Sequence, residues 1–233
     1  MSIADRLNCI RESLKEGVRL VAVSKFQDNE SILEAYSAGQ RLFGESRVQE
    51  LYYKYQRLPK DIEWHFIGHL QTNKINYIAS FVDTIHSIDS FRLLNEINCY
   101  ALKYNHRIKV LLQIHIAQET QKFGFSSEEI ENLLIGKPWK TLKNIDVVGL
   151  MGMATFTEDQ DQITKEFATL SNFFLKLKEQ HFADKNSFKE LSMGMSSDYL
   201  LAVKQGSTMV RIGSSIFSKK IKNNKGNETK RKI

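Results

Sequence analysis

The chain has 233 residues, of which 42% are hydrophobic, with 12 glycines and 2 prolines. This composition is typical of an ordered globular protein and excludes a disordered or low-complexity chain. The net charge of +6 suggests a polyanion partner, but residues 218–233 carry seven basic residues and one acidic residue, which account for all of it. Residues 1–217 are therefore neutral overall, which argues against nucleic acid. We expect one folded domain over 1–217 and a basic, solvated tail over 218–233.

The sequence contains no apolar run of membrane-spanning length and no N-terminal secretory pattern. A soluble, cytoplasmic protein with no membrane partner is expected. Cys9 and Cys99 are far apart and lie on predicted helices. This spacing favours two reduced, buried thiols over a disulfide or a metal-binding pair.

Hydrophobic periodicity predicts an N-terminal helix over Ile3–Lys15, which we expect to pack as a lid, followed by eight strands, each except the last with a helix after it. The predicted strands are Val18–Val23, Arg41–Gly44, Glu63–Ile67, Val82–His86, Lys109–Ile116, Asp146–Leu150, one that opens at Leu191 and one that ends near Val210. The predicted helices between them are Asn29–Ala38, Val48–Tyr55, Asn73–Ser80, Phe91–Tyr104, Ser127–Leu134, Asp159–Gln180 and a short helix that ends at Gln205. Eight such units favour a single (β/α)8 barrel over a doubly wound open sheet.

Two loops rich in small residues follow the seventh and eighth predicted strands. They contain Ser192-Met-Gly-Met-Ser196 and Gly213-Ser214. In a (β/α)8 barrel, phosphate commonly binds at these two loops. We expect Ser196 or Ser197 to cap the next helix and leave backbone N–H groups for an anion, and Gly213 to permit close backbone approach. The pattern favours a phosphate site, with an ordinary helix cap and loop glycine as the alternative.

Lys25 follows the first predicted strand and Arg211 lies just before the second small-residue loop. An amine shielded by the apolar Val21, Val23 and Phe26 could act as a nucleophile that forms a Schiff base with an aldehyde. A permanently charged guanidinium could donate to a ring nitrogen. The alternatives are a solvated lysine and a salt-bridged core arginine.

Three histidines near predicted strand ends, His65, His86 and His115, raise a second possibility, a metal-dependent hydrolase. The first strand supplies no His-x-His pair and the last strand supplies no clear acidic ligand. Lys25 would also repel a metal ion at this end of the barrel. The sequence therefore disfavours a metal centre there.

As a set, the motifs of the chain resemble the pyridoxal 5′-phosphate (PLP) homeostasis proteins of the YggS/PROSC type, whose barrel is that of the alanine racemase N-terminal domain (fold type III). The resemblance extends from about Leu20 to Phe217. The matching motifs are Leu20-Val-Ala-Val-Ser-Lys25, Ala38-Gly-Gln-Arg-Leu-Phe-Gly-Glu45, Trp64-His-Phe-Ile-Gly-His-Leu-Gln-Thr-Asn-Lys74, Leu191-Ser-Met-Gly-Met-Ser196 and Gly206-Ser-Thr-Met-Val-Arg-Ile-Gly213.

The resemblance implies a PLP site at the barrel mouth. In it, Lys25 carries PLP as a Schiff base, Arg211 faces the pyridine nitrogen, and Ser196, Gly213 and Ser214 hold the phosphate. The further cofactor-binding residues implied are Ser46, His65, Ser192 and Met193.

The chain departs from the family pattern at several positions near this site. Ser46 and Arg47 replace an asparagine and a tyrosine, His115 replaces an asparagine, and Phe123 occupies a position that is commonly small. These changes affect individual contacts and leave Lys25 and the phosphate loops in place.

The resemblance implies a protein that binds, buffers or delivers PLP within the cell, in which apo-enzymes that require PLP are candidate recipients. Racemase chemistry needs an acid/base on each face of the substrate carbon, and in alanine racemase the second comes from another domain and the partner subunit. After the eighth predicted strand this chain has about 20 residues, rich in lysine. We therefore expect no efficient catalysis and a monomer or weak dimer, with a slow PLP-dependent amino-acid racemase as the alternative.

Overall fold

A computed structural model describes residues 1–119, 123–136 and 138–217. It contains eight strands, which are β1 (Arg19–Val23), β2 (Leu42–Glu45), β3 (Glu63–Phe66), β4 (Thr84–Ile88), β5 (Ile108–Gln113), β6 (Ile145–Met151), β7 (Glu190–Ser192) and β8 (Met209–Ile212). Each strand pairs in parallel with its neighbours in the chain, and β8 pairs with β1 to close the barrel. The predicted (β/α)8 barrel is confirmed and the open sheet is excluded. The predicted tail lies outside the described residues.

Helices alternate with the strands. They are α1 (Ile3–Ser13), α2 (Asn29–Ser37), α3 (Val48–Arg57), α4 (Phe91–Lys103), α5 (Ser127–Gly136), α6 (Gln160–His181), α7 (Tyr199–Lys204) and α8 (Ser214–Phe217). Two 3-10 helices, Thr72–Tyr77 and Pro138–Thr141, complete the described set. The helix predicted over Asn73–Ser80 is present as the 3-10 helix Thr72–Tyr77, in which Lys74 and Ile78 donate to carbonyls three residues back.

β4 begins two residues later than predicted. Val82 still donates its N–H to Ile78 O at 2.9 Å, within the preceding turn, and Asp83 N–H donates to Trp64 O at 3.0 Å. The apolar run at Val82 therefore contributes to the core before strand pairing starts. This shift leaves the Asp83 carboxylate at the N-terminal end of the barrel.

The main hydrophobic core is continuous and includes residues of the strands and the surrounding helices, among them Phe43, Trp64 and Phe167. A separate small cluster contains Val21, Leu42 and Met209. Because alternate residues of a strand point the same way, Met209 and Arg211 lie on one face of β8. β8 thus places Arg211 on the face that does not belong to the main core.

α1 packs against the barrel wall and is not a lid over its mouth. Ile3, Leu7 and Ile10 are buried, and Arg6 donates from Nε to Ile216 O of α8 at 2.5 Å. Arg11 donates to Ala38 O, at the end of α2. Since α8 has one turn, α1 fills the wall between α8 and α2.

Cys9 on α1 and Cys99 on α4 are free and exposed. The expectation that they are buried is wrong, because both point away from the apolar face of their helix. No helix among the described residues is both long and apolar enough to cross a membrane.

Candidate functional site

Most of the candidate residues sit on four neighbouring strand ends. β7 pairs with β8, β8 with β1, and β1 with β2. Because all strands are parallel, their carboxyl ends open on the same side of the barrel. The residues that follow these strands there are Met193–Ser196 after β7, Gly213 and Ser214 after β8, Lys25 after β1, and Ser46 after β2.

The two small-residue loops contact each other directly. Gly213 N–H donates to Ser196 Oγ at 3.3 Å, and Arg211 N–H donates to Gly194 O at 3.0 Å. A Cβ on Gly213 would lie 3.0 Å from Val23 O, so the loop runs against β1 at a distance that favours glycine. The loops after β7 and β8 therefore form one small-residue cradle beside β1, as the sequence predicts.

The cap of the helix beyond this cradle differs from the prediction. α7 begins at Tyr199 and its N-cap residue is Asp198, whose side chain accepts from Met195 N–H at 2.5 Å. Neither Ser196 nor Ser197 is the cap. They lie in the turn before α7, because the Asp198 carboxylate closes that turn across three residues.

Arg211 on β8 is buried and donates hydrogen bonds to residues at the ends of β7 and β6. Its Nη1 donates to Ser192 O at 2.8 Å and to Ser192 Oγ at 2.7 Å, and its Nη2 donates to Gly152 O, beside the end of β6, at 3.1 Å. Burial lowers the pKa of Arg211 to about 10, and Asp198 opposes the shift, so the guanidinium keeps its charge at neutral pH. Arg211 is a fixed donor group at the carboxyl ends of β6, β7 and β8.

A hydrogen-bonded chain runs from Ser192 into the barrel. Ser192 Oγ lies 3.1 Å from His86 Nδ1, and His86 Nε2 lies 2.8 Å from His65 Nδ1. Both imidazoles are fully buried, and burial is the main cause that lowers the pKa of each. His65 is thus two hydrogen bonds away from Ser192, with His86 between them, so its predicted cofactor contact remains a prediction.

Lys25 is exposed at the barrel mouth, so the expectation that apolar neighbours shield its amine is wrong. Val21 is buried below it, but Phe26 is 66% exposed and turns away from the core. The reason is local, since Phe26 adopts a positive φ of 64° and reverses the chain directly after Lys25. The amine is accessible to a ligand from solvent.

A buried lysine, which the sequence analysis missed, fixes the turn that carries Lys25. Lys54 Nζ donates to Ser24 O, Glu45 Oε1 and Glu50 Oε1, each at 2.7 Å. Ser24 Oγ donates to Glu45 Oε1 at 2.6 Å.

The residue after Lys25 is held by the same cluster, since Glu50 Oε1 also accepts from Phe26 N–H at 2.7 Å. The residues on both sides of Lys25 are therefore held by the same ammonium and its two carboxylates. The i, i+4 spacing of Glu50 and Lys54 was the available signal.

The departures from the family pattern have identifiable contacts. The Arg47 guanidinium lies 4.9 Å from the centre of the Phe26 ring, a cation–π contact beside Lys25. A Cβ on Gly68 would overlap the backbone of Ser46, so the loop after β3 presses on that residue. Phe123 stacks on His69 with ring centres 4.0 Å apart.

The three histidines of the hydrolase hypothesis do not act together. His65 and His86 bond to each other, whereas His115 Nε2 contacts Ala117 O at 2.8 Å. Across residues 1–119, 123–136 and 138–217, the one group of three or more metal-type ligands is Glu63, His65 and Asp83. That group lies at the other end of the barrel from Lys25.

A cavity of about 570 Å³ adjoins the small-residue cradle. Its walls are the loop after β6, from Ala154 to Glu158, and the segment from Met195 to Leu201. Ser196 and Ser197 line it, and Lys25 does not. The cavity therefore lies on the β6 side of the cradle, whereas Lys25 is on the β1 side.

Comparison with known proteins shows what the chain is similar to. The family model described as "Alanine racemase, N-terminal domain" matches residues 1–220. The pyridoxal phosphate homeostasis protein of Aquifex aeolicus (strain VF5) is 33% identical over 231 residues, which cover 94% of this chain and 99% of that protein. The protein of the same name from Schizosaccharomyces pombe (strain 972 / ATCC 24843) is 37% identical, with 91% and 90% covered.

Solved structures agree with these sequence matches. PipY of Synechococcus elongatus PCC7942, solved with PLP bound, is 35% identical with a TM-score of 0.83, and the match covers 93% of this chain and all of PipY. An alanine racemase of Clostridium difficile 630 is 16% identical with a TM-score of 0.74, over 95% of this chain and 57% of the racemase, and shows the fold alone. The chain belongs to the alanine racemase N-terminal domain family and, within it, to the pyridoxal phosphate homeostasis proteins.

Proposed function

We propose that this protein binds PLP at the carboxyl end of its barrel, through a Schiff base on Lys25, and that it buffers or delivers the cofactor without efficient catalysis of its own. The observation that carries the proposal is the convergence of an exposed amine, a small-residue cradle and a buried guanidinium on adjacent strand ends. PLP offers one group for each, namely an aldehyde, a phosphate and a pyridine nitrogen.

The residues present fit this cofactor chemically. The Gly213 N–H to Ser196 Oγ contact holds the two loops together with backbone donors close by, which suits a phosphate. Ser214 begins α8 and Gly213 leaves no side chain in the way. The charged Arg211 guanidinium can only donate hydrogen bonds, so it favours an unprotonated pyridine nitrogen, which can accept one. An unprotonated ring is a weaker electron sink, so the arrangement suits storage better than fast chemistry.

The Lys54 cluster, consisting of Lys54, Glu45, Glu50 and Ser24, supports covalent capture in another way. The Lys25 side chain is exposed, but hydrogen bonds at Ser24 and Phe26 fix the backbone on either side of it. A fixed backbone reduces the entropy that the lysine loses when it engages an aldehyde. The exposed amine also allows release, which a carrier requires.

The names of the relatives support the proposal that the protein lacks efficient catalysis. Those matched over nearly their whole length are named for PLP homeostasis. PLP-requiring apo-enzymes as recipients, and a monomer or weak dimer, belong to the same proposal.

Titration of the purified chain with PLP tests the covalent site. Wild type should develop a visible absorbance band that borohydride converts into a permanent adduct, which mass spectrometry locates on the peptide containing Lys25. Lys25→Ala should lose the band and the adduct, whereas Lys103→Ala, at an exposed lysine on α4, should keep both. A wild-type protein that takes up no PLP, or a Lys25→Ala variant that keeps the adduct, contradicts the proposal.

Turnover tests the second half of the proposal. The PLP-loaded protein should convert a panel of L-amino acids to D-enantiomers or keto acids far more slowly than about 1 per second, the lower range of ordinary enzymes. A rate at or above that value would show that the protein is a PLP enzyme.

A further inference from the structure

The end of the barrel away from Lys25 carries a cluster that the proposed function does not use. It consists of Glu63, the first residue of β3, His65 on the same strand, and Asp83, which directly precedes β4. One ligand atom from each of the three lies within 4.8 Å of the other two. We name these residues the Glu63–His65–Asp83 cluster.

His65 gives this cluster its significance. The side chain is fully buried, yet its Nε2 atom has no hydrogen-bond partner. Its other ring nitrogen, Nδ1, is engaged with His86 Nε2 at 2.8 Å, so Nε2 is the atom directed toward the carboxylates. A buried polar atom without a partner is rare in native proteins and calls for an explanation.

The distance from His65 Nε2 to Asp83 Oδ1 is 3.6 Å. That is too long for an N–H to O hydrogen bond. It is close to the separation of two ligands that share one ion at about 2.0–2.2 Å from each, as Zn²⁺ requires. The spacing is therefore wrong for a direct bond and right for an ion between the two atoms.

We propose that Glu63, His65 and Asp83 bind a divalent transition-metal cation at the N-terminal end of the barrel. One imidazole and two carboxylates form a ligand set that suits Zn²⁺, Co²⁺ or Ni²⁺ better than Mg²⁺ or a soft monovalent ion. His86 completes the arrangement, because a metal-bound histidine almost always donates its second ring N–H to a neighbour. With a metal ion on Nε2, His65 would carry its proton on Nδ1 and donate it to His86 Nε2, 2.8 Å away.

The surroundings provide both access and competition. Access is through Glu63, which is exposed, and the neighbouring Arg19, Thr84 and Lys109 line a cavity of about 350 Å³ next to the cluster. Arg19 Nη2 lies 2.9 Å from Glu63 Oε2, and Lys109 Nζ lies 3.1 Å from Asp83 Oδ2. These two cations hold the carboxylates when no metal is bound, and an incoming ion must displace them. Removal of either cation should therefore strengthen metal binding.

The metal proposal requires neither PLP nor Lys25, and it stands or falls separately from the proposed function.

The test is a Co²⁺ titration of the untagged full chain, followed by visible spectroscopy, with Zn²⁺ added as a competitor. Wild type should show d–d bands that saturate at one ion per chain and disappear with Zn²⁺. Asp83→Asn and Glu63→Gln keep the side-chain size and should each bind at least about tenfold more weakly. Lys109→Gln should bind more tightly than wild type, an outcome that misfolding cannot produce.

Asp146→Asn is the matched control. Asp146 lines the same cavity and pairs with Lys185 at 3.8 Å, but it is not a member of the cluster. Its substitution should leave the Co²⁺ affinity unchanged. If Asp83→Asn binds as wild type does, or if no d–d bands appear, the metal is an adventitious ion only or is absent, and the proposal is wrong.

Discussion

Lys54 Nζ lies 2.7 Å from the carbonyl oxygen of Ser24, the residue immediately before Lys25. Lys54 is 2% exposed and Glu45, its partner at 2.7 Å, is fully buried. Burial raises the pKa of Glu45 and Lys54 opposes the shift, so the carboxylate depends on this ammonium for its charge. One ion pair therefore connects the stability of the barrel to the position of Lys25.

Replacement of Lys54 by Met should destabilise the protein by about 3–5 kcal/mol, because it leaves Glu45 buried without its cation. Urea unfolding followed by circular dichroism measures the loss. Lys103→Met, at an exposed lysine of another helix, controls for the change of residue type. The double variant Lys54→Met with Glu45→Gln should recover part of the stability, since no buried charge remains. Equal stability of Lys54→Met and wild type would show that the pair is not required.

The fold was predictable from the sequence because several strands, such as β1 and β6, are largely buried apolar runs, and because helical segments alternate with the strands along the chain. The small-residue loops and Lys25 were also predictable, since their positions at strand ends follow from that fold. Two sets of buried contacts were not predictable. Glu45 and Ser24, which help to fix the turn at Lys25, meet across two strands, and at the opposite end of the barrel Asp83 meets His65 across two others. Such pairs depend on strand register, which a single sequence does not specify.

Arg211→Lys should weaken both the fold and the cofactor site. One ammonium cannot reach Ser192 O and Gly152 O together with the geometry of the guanidinium fork, so at least one buried carbonyl loses its donor. The expected cost is about 1–3 kcal/mol of unfolding free energy. PLP titration should also show a shifted absorbance band, whereas Arg41→Lys, at a half-buried arginine near α2, should leave the band unchanged. An unshifted band in Arg211→Lys would contradict contact with the pyridine ring.

Acid should destabilise the protein through the buried histidine pair. Burial lowers the pKa of His65 and His86 below the ordinary value of 6.5, so the unfolded chain binds protons that the folded chain does not. This contribution to stability is therefore fully present above pH 6.5 and is lost as the pH drops below it, by at most about 1.4 kcal/mol per pH unit for each histidine.

Urea midpoints measured from pH 7.5 down to pH 5 test this pH dependence. His86→Asn removes one of the two groups and should reduce the slope below pH 6.5 by roughly half, whatever its effect on stability at pH 7.5. A wild-type protein with constant stability over this range, or an unchanged slope in His86→Asn, would show that these imidazoles do not control the response.

Gly194→Ala should destabilise the protein in two ways, by straining the backbone of the cradle and by a steric clash of the new Cβ. Gly194 has a φ of +94°, where a Cβ is strained, and that Cβ would lie 2.6 Å from the Cβ of Ala202 on α7. Gly39 has a similar φ of +85°, but a Cβ there would have no neighbour within 4 Å. Gly39→Ala therefore measures the cost of the backbone conformation alone, about 1 kcal/mol.

The difference between the two alanine variants isolates the clash between the loop after β7 and α7. We expect Gly194→Ala to cost about 1–3 kcal/mol more than Gly39→Ala in urea unfolding. It should also weaken PLP binding, because Gly194 O accepts from Arg211 N–H at 3.0 Å and a shift of one loop moves the other. Gly39→Ala should bind PLP as wild type does. If both variants lose the same stability and keep full PLP affinity, the close approach at Gly194 does not shape the cradle.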